Sequence, residues 1–142
     1  MSDQTKVDTA ARQNADVLQR MYEAFGRGDI PAVLDMLTDD AEWTLRGPSA
    51  LPHAGTHRGR EGIAQFFSSL GENLEVERFE LREFVAQGDT VVVLGDERCT
   101  VKTTGRTFEQ EWAHVYTLTD GKIATGRFFE DTAAQVVAFD AT

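Results

Sequence analysis

The first half of the chain carries apolar residues at helical spacing and therefore predicts three helices. Apolar side chains recur every three or four residues from Ala15, and Gly26 and Gly28 mark the end of this first helix. Asp29 is placed to cap a shorter second helix through its side-chain oxygen. A third helix is predicted from about Glu61, after a loop rich in glycine, proline, arginine and histidine.

The second half alternates apolar and polar residues with a period near two, which predicts four long strands. Turn signals at residues 88–89, 104–105 and 120–121 separate these strands, so neighbours are expected to pair as antiparallel hairpins. A first short strand is predicted at residues 42–45. Together these elements predict an α+β fold, with three N-terminal helices packed on a curved, mainly antiparallel sheet in a cone-shaped α+β barrel.

The length of the chain predicts its domain organisation, and its net charge narrows the classes of possible partner. The 142 residues suit a polar N-terminal tail at 1–12 followed by a single domain at 13–142. The formal net charge is -10, and no basic run is longer than two residues. Nucleic acid and anionic membrane surfaces are therefore not expected partners, because both attract basic proteins.

The chain also predicts a cytoplasmic location. No apolar run approaches the ~20 residues needed to cross a bilayer, and the N-terminus lacks the apolar core of a signal peptide. The single cysteine, Cys99, cannot form an internal disulfide and suits a reducing compartment.

Four segments resemble a known family. They are MYEAFGRGDIPAVLDMLTDDAEW, HRGREGIAQFF, VAQGDTVVVLG and HVYTLTDGKIATGRFFEDT. In this order they resemble the SnoaL-like branch of the nuclear transport factor two-like, or ketosteroid-isomerase-like, superfamily, over about residues 13–134. The resemblance implies a cone-shaped pocket between the helices and the concave face of the sheet, and a homodimer. It leaves the chemistry open, because this fold hosts isomerases, cyclases, epoxide hydrolases, dehydratases and non-catalytic modules.

The same resemblance implies where the polar groups of a ketosteroid isomerase would stand. The tyrosine position falls at Met21, with Tyr22 facing elsewhere, the base position falls at Leu45 and the acid position at Ala113. All three polar groups are missing, so isomerisation of steroids by that set of residues is not expected.

The alignment through the DGKI turn also implies which strand residues face the pocket, because side chains alternate between the two faces of a strand. Glu111 and Ala113 would face inward from the third long strand, and Phe128 and Glu130 from the fourth. Glu97 would face inward from the second long strand. The pocket would then bind a hydrophobic small molecule.

The opposite face would carry Trp112 and His114. An exposed aromatic stripe on a sheet usually meets a partner, so a homodimer through the outer sheet face is predicted. A slip of one residue in the register would exchange the two faces.

Inward carboxylates indicate acid/base chemistry. A carboxylate enclosed by apolar walls has a raised pKa, and two in one pocket push their pKa values apart. Glu111 and Glu130 lie on neighbouring strands and are the first catalytic pair to consider, with His53 as a further proton-transfer residue. Alternatively, the two glutamates lie at a solvated rim, and His53 lies at the surface or at a dimer contact.

Aromatic and polar residues nearby are candidates for holding the substrate. The aromatic members offer flat apolar walls to a ring-containing ligand, or pack in the core, and the arginine either polarises a substrate oxygen or offsets the acidic surplus. The predicted substrate-binding residues are Trp43, Arg46, Phe66, Glu97, Ala113 and Phe128.

A metal or cofactor is not predicted. His53 and His57 are four residues apart, which would suit a metal ion on a helix, but Pro52 and Gly55 predict a loop. No glycine-rich phosphate motif is present.

Two functions are therefore expected. The first is a cofactor-free acid/base enzyme, an isomerase, cyclase, dehydratase or hydrolase, acting on a hydrophobic, oxygen-bearing small molecule. The second is a non-catalytic ligand-binding or dimerisation module of the same fold.

Overall fold

The computed structural model describes the backbone of residues 2–142 and the side chains of residues 9–142. It contains the predicted helices and long strands, and it adds one short strand in the loop after residue 45. In chain order the elements are α1 (Ser2–Gly26), α2 (Ile30–Asp35), β1 (Leu37–Leu45), β2 (Gly55–Arg58), α3 (Gly59–Asn73), β3 (Leu74–Gln87), β4 (Thr90–Val101), β5 (Thr107–Thr119), β6 (Lys122–Phe129) and α4 (Thr132–Phe139).

Helix α1 begins at Ser2 rather than near Ala15, so it includes most of the segment predicted as a polar tail. Met1 and the side chains of residues 2–8 lie outside the described part of the chain. The predicted cap of α2 is confirmed: Asp29 Oδ1 accepts a hydrogen bond from the backbone N–H of Ala32 at 3.2 Å. Polar caps of this kind satisfy backbone donors that a helix start leaves unpaired.

The six strands form one open, curved sheet in the order β2-β1-β6-β5-β4-β3. Strands β3 to β6 pair as antiparallel neighbours, as predicted, and β1 runs parallel to β6. Strand β2 pairs antiparallel with β1, so the part of the glycine-rich segment around His57 is a strand and not a loop. The sheet is not closed, so the predicted barrel is a curved sheet whose concave face is covered by α1 and α3.

Two glycines allow bulky indole rings to lie against the sheet. A Cβ added to Gly95 on β4 would overlap the Trp112 ring and lie 2.5 Å from the carbonyl oxygen of Glu80. A Cβ on Gly126 of β6 would lie 2.9 Å from the Trp43 ring. Both tryptophans are almost fully buried, so these glycines set the shape of the concave face.

The predicted orientation of β5 is wrong. The buried residues of this strand are the even-numbered ones, so Trp112 and His114 face inward while Glu111 and Ala113 face outward. The orientations predicted for β4 and β6 are correct, since Glu97 and Phe128 lie on the concave side.

A β-bulge in β6 explains why the faces predicted for β5 and β6 cannot both be correct. Thr117 pairs with Thr125 and Leu118 pairs with Ile123, so Ala124 is passed over in the ladder. Without this extra residue Ala113 would stand opposite Phe128, as the alignment assumed. With it, His114 stands opposite Phe128 and shares its face. Trp112 and His114 are therefore not part of the outer face on which a dimer contact was predicted.

Candidate active site

A cavity of about 310 Å³ lies between the helices and the concave face of the sheet. Most of its wall is aromatic or aliphatic, and its polar side chains come mainly from β4, β5 and the segment that joins β6 to α4. The principal apolar wall residues are Met21, Phe25, Trp43, Phe66, Phe79 and Phe128. An apolar wall with a few converging polar groups is typical of a small-molecule site.

The first cluster of polar side chains in the cavity connects α1 with β5 and with the residue that follows β6. The Tyr22 hydroxyl lies 2.7 Å from His114 Nδ1 and 2.7 Å from the Tyr116 hydroxyl. On the other side of the imidazole, His114 Nε2 faces Glu130 Oε2 at 3.5 Å, a polar contact that is longer than an ordinary hydrogen bond. These side chains are buried, so they form a continuous polar row through an apolar surrounding.

A second cluster of polar side chains connects the two glutamates. Gln110 Nε2 lies 2.9 Å from Glu97 Oε1 and 3.4 Å from Glu130 Oε1, so one amide donates toward both carboxyl groups. Gln135 Nε2 of α4 donates to the same Glu130 oxygen at 2.8 Å. Glu130 is therefore held by two amides and faces His114 with its other oxygen.

The hydrogen bonds of Gln135 define the tautomer of His53. Because Nε2 of Gln135 donates to Glu130 and to Gln110 Oε1, its Oε1 is an acceptor. His53 Nε2 lies 2.8 Å from this oxygen and must carry a proton. In the neutral ring, His53 Nδ1 then holds a lone pair, and this buried atom has no hydrogen-bond partner among the described residues.

The two glutamates differ in protonation near neutral pH, because their pKa values are displaced in opposite directions. It raises the pKa of Glu97 to about 7, with a further contribution from the negative charge of Glu130. Burial also opposes ionisation of Glu130, but the contacts with His114 and Gln135 outweigh it and keep the pKa of Glu130 below its ordinary value. Near neutral pH, Glu130 is ionised while Glu97 exchanges its proton.

Burial lowers the pKa of both cavity histidines. Loss of hydration disfavours the charged ring of His53 and, more completely, of His114. Burial likewise raises the pKa of Tyr22 and of Tyr116, so both phenols keep their protons. The site at neutral pH therefore contains neutral imidazoles and phenols beside one carboxylate.

The structure brings together only part of the predicted site. Glu97, Glu130 and His53 meet at the polar end of the cavity. Three further predicted residues, Trp43, Phe66 and Phe128, lie in its wall, and whether they bind substrate stays a prediction.

Three predicted site residues lie elsewhere. Glu111, Ala113 and Arg46 line an open groove of about 820 Å³ on the outer side of the sheet. Arg46 follows Leu45, whose side chain is buried, and strand alternation therefore turns the arginine away from the cavity. The two glutamates that meet at the polar end of the cavity are therefore Glu97 and Glu130, whereas Glu111 lies on the outer side of the sheet.

Four polar residues of the cavity were not predicted. Tyr22 follows Leu18 by one helical turn, so the apolar stripe of α1 already placed it on the buried face. The alternation of β5 carried a similar signal, because its even positions include the aromatic residues and its odd positions include two glutamates. His114 and Tyr116 share that even face. Nothing in the sequence pattern indicated Gln135.

The two loop histidines do not converge on a common point. His57 Nε2 donates to the backbone carbonyl of His53 at 3.0 Å. Within the described residues, no group of three His, Cys, Asp or Glu side chains is arranged to hold a metal ion. Over the same part of the chain, no helix has both the length and the apolar character of a membrane span.

Comparison with known proteins agrees with this architecture. The sequence matches the SnoaL-like domain family over residues 18–125. An NTF2-like protein from Burkholderia xenovorans LB400 is 35% identical, with 92% of this chain and 98% of that chain covered and a TM-score of 0.85. No match was found among curated proteins.

Two further solved structures carry more specific names. TerC, co-crystallised with polyporic acid, is 28% identical, with a TM-score of 0.80 and coverage of 89% of this chain and 98% of that chain. A candidate polyketide cyclase from Xanthomonas campestris pv. campestris is 22% identical, with a TM-score of 0.74 and coverage of 92% and 99%. At that identity the second likeness concerns the fold alone.

Proposed function

Since the chain belongs to the family of SnoaL-like domains, we propose that it is a cofactor-free enzyme that moves protons on a hydrophobic, oxygen-bearing small molecule. The reaction class is isomerisation or ring closure that begins with removal of a proton next to a carbonyl group. The ligand named with TerC supports a small organic molecule as the substrate.

The observation that carries this proposal is the pair Glu97 and Glu130. Both approach the same amide of Gln110 at one end of an apolar cavity, and their pKa values are displaced in opposite directions. Two carboxyl groups separated in this way provide an acid and a base at one pH. Proton transfer by such positioned groups accelerates a reaction by about 10²–10⁴-fold.

Each polar side chain at this end of the cavity then has a role in the proposed reaction. The Glu130 carboxylate accepts the proton from carbon, and His114 and Gln135 hold it in position. Glu97, protonated for part of the time at neutral pH, donates its proton to the oxygen on which negative charge develops. The aromatic wall, including Trp43 and Phe66, excludes water and holds the ring system of the substrate.

Exchange of hydrogen for deuterium in a simple ketone tests the proposal. The probe is 2-tetralone in D₂O, and proton NMR follows the loss of its α-protons. We expect the protein to accelerate exchange above the buffer rate, and Glu130→Gln to lower that acceleration by about 10²-fold or more. Glu111→Gln is the matched control, because it makes the same change on the outer face.

Two results would contradict the proposal. One is exchange no faster than in buffer, which would favour the non-catalytic binding module. The other is an unchanged rate for Glu130→Gln with the fold intact by circular dichroism.

A further inference from the structure

Most hydrogen atoms of the cavity's polar side chains point toward acceptors within the protein. Since Glu130 is ionised, the imidazole of His114 turns its Nε2 proton toward that carboxylate, and its Nδ1 accepts a hydrogen bond. The donor to Nδ1 is the Tyr22 hydroxyl, so the hydrogen bond between the two phenols is donated by Tyr116. Neither phenol has a hydrogen left for a ligand.

In the second cluster, around Glu97 and Glu130, the hydrogen atoms of Gln135 and His53 also point to acceptors within the protein. The Gln135 amide gives both hydrogens to Glu130 and Gln110, and His53 gives its Nε2 proton to Gln135. The indole N–H of Trp43 is the exception, since this buried atom has no hydrogen-bond partner among the described residues. Its Nε1 lies 3.0 Å from the place a Cβ on Gly126 would occupy.

Lone pairs remain. His53 Nδ1 is buried and without a partner among the described residues, and the Tyr116 oxygen and the two carboxyl groups also accept hydrogen bonds. Among the described residues that line the cavity there is no lysine or arginine. The polar end of the cavity is thus rich in acceptors, poor in donors and negatively charged.

We propose that the ligand of this cavity is an uncharged ring system that carries a hydroxyl group, and that the cavity excludes carboxylates. A hydroxyl hydrogen meets the free acceptors, whereas a carboxylate adds negative charge beside Glu130 and finds no lysine or arginine among the described lining residues to offset that charge. A neutral acceptor such as an ether leaves the buried lone pairs unpaired. This inference rests on the proposed function only in taking the cavity as the ligand site, and it does not require turnover.

Three naphthalene probes of similar size distinguish these cases. They are 2-naphthol, 2-methoxynaphthalene and 2-naphthoate, titrated into the wild-type protein by isothermal calorimetry at pH 8. We expect 2-naphthol to bind about tenfold more tightly than the methoxy compound, since it donates to a charged or buried acceptor. The carboxylate should bind most weakly of the three.

A variant pair identifies the group responsible. Glu97→Gln replaces a carboxyl group by an amide that offers hydrogens, so the preference for 2-naphthol over 2-naphthoate should fall by about tenfold. Glu111→Gln makes the same change on the outer face and should keep the wild-type preference.

Other outcomes would overturn the inference. Binding of 2-naphthoate or 2-methoxynaphthalene as tight as that of 2-naphthol would do so, and so would the absence of binding by all three probes at millimolar concentration. The wild-type comparison stands even if Glu97→Gln does not fold. Hydroxyl-selective binding without exchange of 2-tetralone would remove the proposed chemistry and leave this inference in place.

Discussion

Glu97 and Glu130 share one hydrogen-bond donor, the side-chain amide of Gln110. Its Nε2 lies 2.9 Å from Glu97 Oε1 and 3.4 Å from Glu130 Oε1. The oxygen of the same amide accepts hydrogen bonds from the backbone N–H of Asp131 and from Gln135. This amide therefore connects β4, β5 and the start of α4, and it brings the two carboxyl groups together at the polar end of the cavity.

The raised pKa of Glu97 makes stability depend on pH in a defined window. Its pKa is about 7 in the folded protein and lies near 4.5 for an ordinary glutamate. The folded state therefore binds this proton more tightly than the unfolded state. The free energy of unfolding gains up to ~3 kcal/mol from this group at low pH, and that contribution is lost as the pH rises from about 4.5 to 7.

Glu97→Gln should remove that dependence. Urea unfolding between pH 5 and pH 8 measures it, with Glu111→Gln as the control that keeps the wild-type slope. The lowered pKa of Glu130 acts below this window, because stability from that group is lost only as the pH falls through its folded pKa. An identical slope in the wild type and Glu97→Gln would show that Glu97 is not responsible.

Tyr22→Phe should destabilise the protein more than Tyr116→Phe. Loss of the Tyr22 hydroxyl leaves His114 Nδ1 buried without a donor, which costs about 1–3 kcal/mol. Loss of the Tyr116 hydroxyl leaves the bond from Tyr22 to His114 intact. Chemical denaturation of the two variants compares these costs, and a larger loss for Tyr116→Phe would contradict the assigned direction of the hydrogen bonds.

Gln135 should determine the tautomer of His53. In the wild type, long-range ¹H–¹⁵N NMR spectra should show His53 protonated at Nε2, because Gln135 Oε1 accepts that hydrogen. Gln135→Leu removes the acceptor, so we expect a mixture of tautomers. A wild-type ring protonated at Nδ1 would contradict the hydrogen-bond assignment. His57 provides an internal control, since it donates to a backbone carbonyl and not to Gln135.

Gly95→Ala should destabilise the fold by about 1–3 kcal/mol or more, because the added methyl group would overlap Trp112 and crowd a backbone carbonyl of β3. Gly71→Ala is the contrasting substitution. Gly71 lies in α3, and a Cβ added there would have no atom within 4 Å. Alanine is favoured over glycine in a helix by about 1 kcal/mol. Thermal denaturation compares them, and equal melting temperatures would argue against the close packing of Trp112.

Local patterns were sufficient for most of the architecture. The period of apolar residues predicted α2, α3 and the four long strands, and Asp29 was identified as a helix cap from its position alone. These features depend on neighbours within about one turn or one strand of the chain, so residue order contains the information. The inward orientation of Glu97 and Glu130 was predicted from strand alternation together with the family resemblance, and not from local pattern alone.

The composition of the site depended on contacts between distant segments. Ala124, one bulged residue in β6, shifts the pairing with β5, so that Phe128 shares its face with His114 and not with Ala113. Gln135 meets His53 across 82 residues of chain because α4 folds back over the sheet. Neither strand pairing nor helix docking is encoded in a local period, since both depend on how complete elements pack together.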